Sequence, residues 1–445
     1  MRPGHSTAVA LATAFVAGPL EVDPLVDRGA HVLGGRPRWL RPLARRVAAR
    51  FGDQTRPRVT AVARFLLADR ALLRAALTCQ IQPGAGLGLT PEMAPLGPAA
   101  RWRTPSLCNT RELAGWLGLP VGELEWFADL RSLESRQREG PLRHYHYRPL
   151  TKRFGQTRLI EAPKPRLKAI QRVILAELLD HVPPHPSAHG FCRGGSVRTF
   201  AAPHAGRPVV LKIDLEDFFP SIAAARVRAL LRAIGYPERV ADLLAGLCTN
   251  AVPPDVWKEA GAPATGHADR QLRRYAQPHL PQGAPTSPAL ANLCAYRLDC
   301  RLAGLAEAAG GVYTRYADDL AFSGGDAFAR CVGRFQTHVC ATAMEEGFAV
   351  NHYKTRVMRR GQRQQIAGLV VNHRPGVARD QRDRLRATLT NCVRHGPASQ
   401  NREAHADFRA HLNGRVAFVE MVSPEQGQRL RRLFEEIRWE AGCGV

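Results

Sequence analysis

The sequence predicts an α+β chain, and three observations predict it. Val209-Val210-Leu211-Lys212-Ile213 is a short apolar run of buried-strand type that ends in Asp214. Val312-Tyr313-Thr314-Arg315-Tyr316 and Leu320-Ala321-Phe322-Ser323 are rich in β-branched and aromatic residues, and Gly324-Gly325 closes the second. They flank Ala317-Asp318-Asp319, which puts adjacent carboxylates at the tip of a β-hairpin. Around these runs lie longer stretches with apolar residues at helical spacing and arginine between them.

Taken in order, residues 8–17 are apolar but too short to span a bilayer, and read as a helix or strand of the N-terminal region rather than a signal peptide. Residues 36–50 and 59–77 have helical periodicity. Residues 82–100 are rich in Gly and Pro and read as a linker. Asn109-Thr110-Arg111-Glu112 resembles a helix start with a capping acid, stopping at Gly118 and Pro120, and a second short helix lies near 123–133. After Asp214 the spacing predicts a helix over 223–234, with Ser221 as N-cap and Gly235 as C′. Residues 249–278 read as an inserted loop, and 377–393 and 408–439 as basic amphipathic helices. The expected boundaries are a helical N-terminal extension over 1–100, a helical lead-in over 101–141, a central region over 142–372 and a helical region over 373–445.

The chain has 445 residues, a formal charge of +24, a pI near 10.6 and 45% hydrophobic residues, enough for a substantial core and a polyanionic partner. The positive charge is almost wholly arginine. The lysines are Lys152, Lys164, Lys168, Lys212, Lys258 and Lys354, and lysine kept in such a composition suggests a local chemical need. Ten cysteines lie scattered without Cys-x-x-Cys or zinc spacing, the pattern of free thiols in a cytoplasmic protein with no membrane segment.

An isolated Asp-Asp turn is ordinarily turn chemistry. Here its flanks bury it, and two unit charges about 4 Å apart repel by roughly 4 kcal/mol at an effective dielectric of about 20. A divalent cation is the natural compensation, and Asp214 at a strand end supplies a third carboxylate. Hard oxygen ligands with room for substrate phosphates favour Mg²⁺. Two such ions about 3.5–4 Å apart suit nucleotidyl transfer.

Further segments accompany this cluster in a fixed order: 152–164 with Lys152, Arg158 and Lys164; Leu167-Lys168-Ala169-Ile170-Gln171-Arg172; His189-Gly190-Phe191; Leu280-Pro281-Gln282-Gly283-Ala284-Pro285-Thr286-Ser287-Pro288; Gly347-Phe348-Ala349-Val350-Asn351-His352-Tyr353-Lys354-Thr355; and Ala367-Gly368-Leu369-Val370-Val371-Asn372. The series resembles bacterial reverse transcriptases, and most closely those of retrons, over roughly residues 142–439. Ala201-Ala202-Pro203-His204 keeps the Ala and His of the retron Asn-Ala-x-x-His element, and Ile366-Ala367-Gly368 stands where retron enzymes carry Val-Thr-Gly.

The resemblance implies a right-hand polymerase with fingers, a ferredoxin-like palm and a helical thumb. It implies that Asp214, Asp318 and Asp319 hold two Mg²⁺, with Asp319 the least direct. Lys152 and Arg158 would grip the incoming triphosphate, Phe219 would exclude a ribose 2′-OH, Gln282 would lie beneath the sugar and primer end, and Lys354 would neutralise or protonate the departing pyrophosphate. Lys164, Lys168 and His204 are the candidate RNA contacts. The implied partners are a cognate structured non-coding RNA, dNTPs, the RNA–DNA product and a separate effector protein. The implied product is branched RNA–DNA, primed from a 2′-OH, in anti-phage defence. Untemplated or protein-primed synthesis, and an RNA-binding scaffold with a vestigial site, are the competing readings.

Overall fold

The computed structural model describes residues 5–54, 57–78, 91–134, 143–151, 157–259 and 266–439. The chain divides into two compact units, Met1–Pro183 with Phe219–Cys294, and Pro184–Phe218 with Ala295–Val445.

The first unit begins with the helices His5–Val16, Val22–Leu33, Leu40–Phe51, Val59–Leu67 and Arg70–Thr78. Their apolar faces meet in one core that includes Leu11, Phe15, Leu25, Leu43, Val47, Val62 and Leu66, so the apolar run at 8–17 is a buried helix. The periodic stretch 59–77 is two helices, because Asp69 interrupts it: its Oδ1 accepts the amides of Ala71 and Leu72, and Arg46 pairs with the same carboxylate. The helix Thr110–Trp116 is capped as expected, with Asn109 accepting from the Glu112 amide and Glu112 from the Cys108 amide.

Strands β1 (Tyr145–Thr151) and β2 (Thr157–Pro163) then form an antiparallel hairpin, and the helix Pro165–Glu177 follows. The helix after Asp214 runs Ala224–Ile234, with Ala223 rather than Ser221 as its N-cap. Ala223 is already bridged to His279, so Pro278 and Ala223 carbonyls receive the first helical amides and no hydroxyl is needed. The stretch expected as an inserted loop contains the helices Pro254–Glu259 and Gly266–Tyr275, anchored by an edge-on contact between buried Trp257 and Tyr275.

In the second unit, β3 (Val209–Glu216), β4 (Gly311–Tyr316), β5 (Asp319–Gly324) and β6 (Ala349–Arg359) form one antiparallel sheet in the order β4-β5-β3-β6. The helix Tyr296–Ala308 packs on β4, and Asp326–Glu345 packs on β3, β5 and β6. This βαββαβ succession with that strand order is a ferredoxin-like palm. The segment after β6 folds into three two-residue strands, Gln365–Ile366, Leu369–Val370 and Gly376–Val377. Beyond it, Arg379–His395, Phe408–Val422 and Pro424–Glu435 enclose a separate core of Leu385, Leu389, Leu412, Val416, Leu430 and Phe434. The stretch 408–439 is broken at Ser423–Pro424, where proline opens a new helix. Among the described residues no helix is long and apolar enough to cross a membrane.

Candidate active site

The palm sheet brings the predicted carboxylates together. Asp214 on β3 stands directly opposite Asp319 on β5, and Tyr316 faces Asp319 across a two-residue turn made of Ala317 and Asp318. Ala317 occupies the left-handed region (φ 54°), as such tight hairpin turns require. The Leu215 amide donates to the Asp318 carbonyl at 2.9 Å and ties the turn to the end of β3.

A bulge delivers the first cation. Lys212 faces Arg356 and Asp214 faces Asn351, so residues 352–355 bow outward opposite Ile213. Lys354 thereby reaches back to Asp214, with its Nζ 3.0 Å from Oδ1 and 3.1 Å from Oδ2. Lys212 lies 2.9 Å from Asp319 Oδ1, an ion pair that is not aligned as a hydrogen bond. Burial, together with Asp319 and Asp214, pushes the Asp318 carboxyl up to about 6. Burial also raises Asp214, against the pull of Lys354.

Divalent metal ions are the natural counter-charge for such a cluster, and this donor set fits them. Three hard carboxylates repel one another, one has been driven toward protonation, and the other two each lean on a lysine ammonium. Among the described residues no three acidic, imidazole or thiol groups are already gathered as a metal cage; lysines stand against Asp214 and Asp319 instead.

In the first unit, Arg158 is exposed on β2, opposite Leu150. Lys164 caps the helix Pro165–Glu177, on which Lys168 is exposed. Lys152 lies outside the described residues. Phe219 is half-buried at the start of a turn. Gln282 is half-buried, and its carbonyl accepts from the Glu161 amide at 2.9 Å. Gly283 next to it has φ 138°, and a Cβ there would come within 2.8 Å of the Glu161 carbonyl, so glycine is required.

Glu161 was not singled out from the sequence, yet it anchors a buried network. Its carboxylate meets His279 Nε2 at 3.0 Å and accepts from Asn250 at 2.8 Å, and Asn250 donates to Tyr147, whose hydroxyl donates to Glu134. Burial opposes a charge on His279, and the Glu161 carboxylate more than offsets it, so the imidazole is raised. The available signal was a carboxylate at an inward position of β2, in step with buried Leu159.

His204 does not face RNA. It is fully buried, with Nδ1 2.7 Å from Ser323 Oγ on β5 and Nε2 2.7 Å from Thr314 Oγ1 on β4. With both nitrogens engaged inside the palm it braces the hairpin, and the expected RNA contact is corrected to a structural one.

Residues 150–384 match the family described as reverse transcriptase (RNA-dependent DNA polymerase). The chain is similar to the retron Mx65 reverse transcriptase of Myxococcus xanthus, 46% identical over 344 residues that cover 77% of this chain and 74% of that one. It is similar to the retron Mx162 reverse transcriptase of the same organism at 39% identity, covering 76% and 68%. To the retron Ec86 reverse transcriptase of Escherichia coli it is 30% identical, covering 61% and 74%. The chain belongs to the reverse transcriptases, in their retron branch. Its activity is RNA-directed DNA polymerisation.

Proposed function

We propose that this enzyme copies a cognate structured non-coding RNA into DNA with two Mg²⁺ held by Asp214, Asp318 and Asp319. The convergence of these carboxylates on adjacent palm strands, with Lys354 against Asp214, is the observation that carries the reading. When bound, the ions activate the attacking hydroxyl and stabilise the leaving oxygen. The chain's own groups do the rest. Lys354 Nζ, poised at the cluster on its bulge, neutralises or protonates the departing pyrophosphate. Arg158 and Lys152 hold the triphosphate, Arg158 through a planar fork. Phe219 excludes a ribose 2′-OH, and Gln282, fixed through its backbone to Glu161, supports the sugar and primer end. Lys164 and Lys168 meet template phosphates.

In this reading residues 1–100 are an N-terminal extension, 101–141 a lead-in, 142–372 fingers and palm, and 373–445 the thumb. The retron character of the relatives supports priming from a 2′-OH and a branched RNA–DNA product (msDNA), acting in the cytoplasm in anti-phage defence with a separate effector. Purified protein given the non-coding RNA encoded beside its gene, Mg²⁺ and dNTPs should make a discrete cDNA complementary to that RNA, and Asp318→Ala should abolish it. A homopolymeric product would indicate untemplated synthesis. Undiminished synthesis by Asp318→Ala would remove the metal assignment.

A further inference from the structure

We propose that the buried Arg315–Asp299 pair is the positioning device of the catalytic turn, with Arg315 holding the Ala317 carbonyl and so setting the direction in which Asp318 leaves the hairpin. The inference rests on Asp318 being one of the metal-holding carboxylates.

Arg315 heads the fully buried side chains of the described residues by volume. Its guanidinium meets Asp299, on the helix Tyr296–Ala308, in a two-pronged bond, Nε to Oδ1 at 2.7 Å and Nη2 to Oδ2 at 2.6 Å. Tyr313 donates its hydroxyl to the same Oδ1 at 2.7 Å. With two prongs fixed, the planar fork leaves its third nitrogen one direction, and Nη1 donates to the Ala317 carbonyl at 3.2 Å. The Phe218 ring lies 5.7 Å from the guanidinium carbon.

The turn requires such a hold. Ala317 sits at φ 54°, a region that residues with a Cβ populate sparsely, and such conformations persist where the surroundings over-determine them. Neighbouring backbone closes on it as well. The Arg315 amide donates to Ser187 and its carbonyl accepts from His189, while a Cβ on Gly190 would lie 2.9 Å from the Ala317 nitrogen. A buried ion pair is a poor choice for stability alone, since apolar residues of similar volume often serve a fold as well or better. What apolar residues cannot do is present a donor to a turn carbonyl.

That difference supplies the test. In Arg315→Met/Asp299→Leu/Tyr313→Phe the ion pair and the hydroxyl bonded to it become apolar together. The triple variant should melt within a few degrees of wild type, with unchanged RNA affinity and dNTP KM. Its turnover should fall about 100-fold, the scale of a misplacement near 1 Å. A folded triple variant that loses less than about tenfold in turnover overturns the inference. Failure of that variant to fold assigns the pair to stability and overturns it too. Arg315→Lys keeps a cation against Asp299 and loses the fork, and should lose turnover at unchanged KM; wild-type turnover there is equally fatal. Asp318→Ala run alongside separates the two levels. If it stays active, the metal assignment fails; if it is dead while the triple variant works, only the positioning role fails.

Discussion

Asp318→Asn should make the metal-free enzyme more stable while destroying its activity. Burial, Asp319 and Asp214 move the Asp318 carboxyl from 3.8 to about 6. Because the folded value lies above the unfolded one, this group's contribution to stability is complete below pH 3.8 and is lost as pH rises through about 6. At pH 7.5 the ionised carboxylate therefore weighs against folding, by an upper bound of about 3 kcal/mol at about 1.4 kcal/mol per pH unit. Asp318 is partly exposed, and solvent screening brings the figure nearer about 1–2 kcal/mol. Asparagine keeps the shape and removes the charge. In EDTA at pH 7.5 the variant should melt a few degrees above wild type, and the gap should narrow as pH falls from 6 toward 4. Added Mg²⁺ should raise the wild-type melting temperature more than the variant's, while cDNA synthesis by the variant falls by orders of magnitude. Calorimetry at both pH values and a primer-extension assay read these quantities. A variant that melts at or below wild type in EDTA at pH 7.5 would refute the claim that burial and the neighbouring carboxylates oppose a charge on Asp318.

Other perturbations address single residues or the surface. His204 is held neutral, its imidazole pushed down to about 3 by burial, whereas the unfolded residue protonates near 6.5. Stability should therefore fall on acidification below 6.5, by up to about 1.4 kcal/mol per pH unit. His204→Gln should flatten denaturation midpoints between pH 6.5 and 4, and parallel profiles for the two proteins would count against a buried neutral imidazole. Phe219→Ala should raise ribonucleotide incorporation relative to dNTP use by about tenfold or more, roughly 1.4 kcal/mol of lost discrimination; an unchanged ratio in competition assays would remove Phe219 from the sugar pocket. With a formal charge of +24, RNA affinity should fall steeply with salt, at about −0.7 to −0.9 in the log–log slope for each phosphate neutralised. A slope shallower than about −3 in filter binding would contradict a broad phosphate-contacting surface.

Much of the palm was legible because its signals are local. The apolar run at 209–213 and the β-branched and aromatic runs at 312–316 and 320–323 mark strands, and a two-residue turn between pairing strands leaves little freedom in where Asp318 and Asp319 emerge. The lysines at 212 and 354 stood out against an arginine-rich background, and they pair with Asp319 and Asp214. The helices of 254–275 were hidden by proline and glycine, and they form because Trp257 and Tyr275 find a shared core. Ser221 offered a good hydroxyl cap and lost to backbone carbonyls that strand pairing had already placed.

By itself the sequence determined the carboxylate set, the strand–hairpin frame that carries it, the family and the cationic character of the surface, since each follows from residue type at short range. Only the tertiary structure decided what stands behind that frame. Asp299 becomes the counter-charge of Arg315, 16 residues apart, His204 is locked between β4 and β5, Glu161 is drawn into a buried chain with His279, and Lys354 is swung onto Asp214 by a bulge. The physical reason is common to all four. A polar side chain's role inside a core is set by the partner that satisfies it, and that partner is chosen by strand register and helix packing over separations that no local pattern encodes.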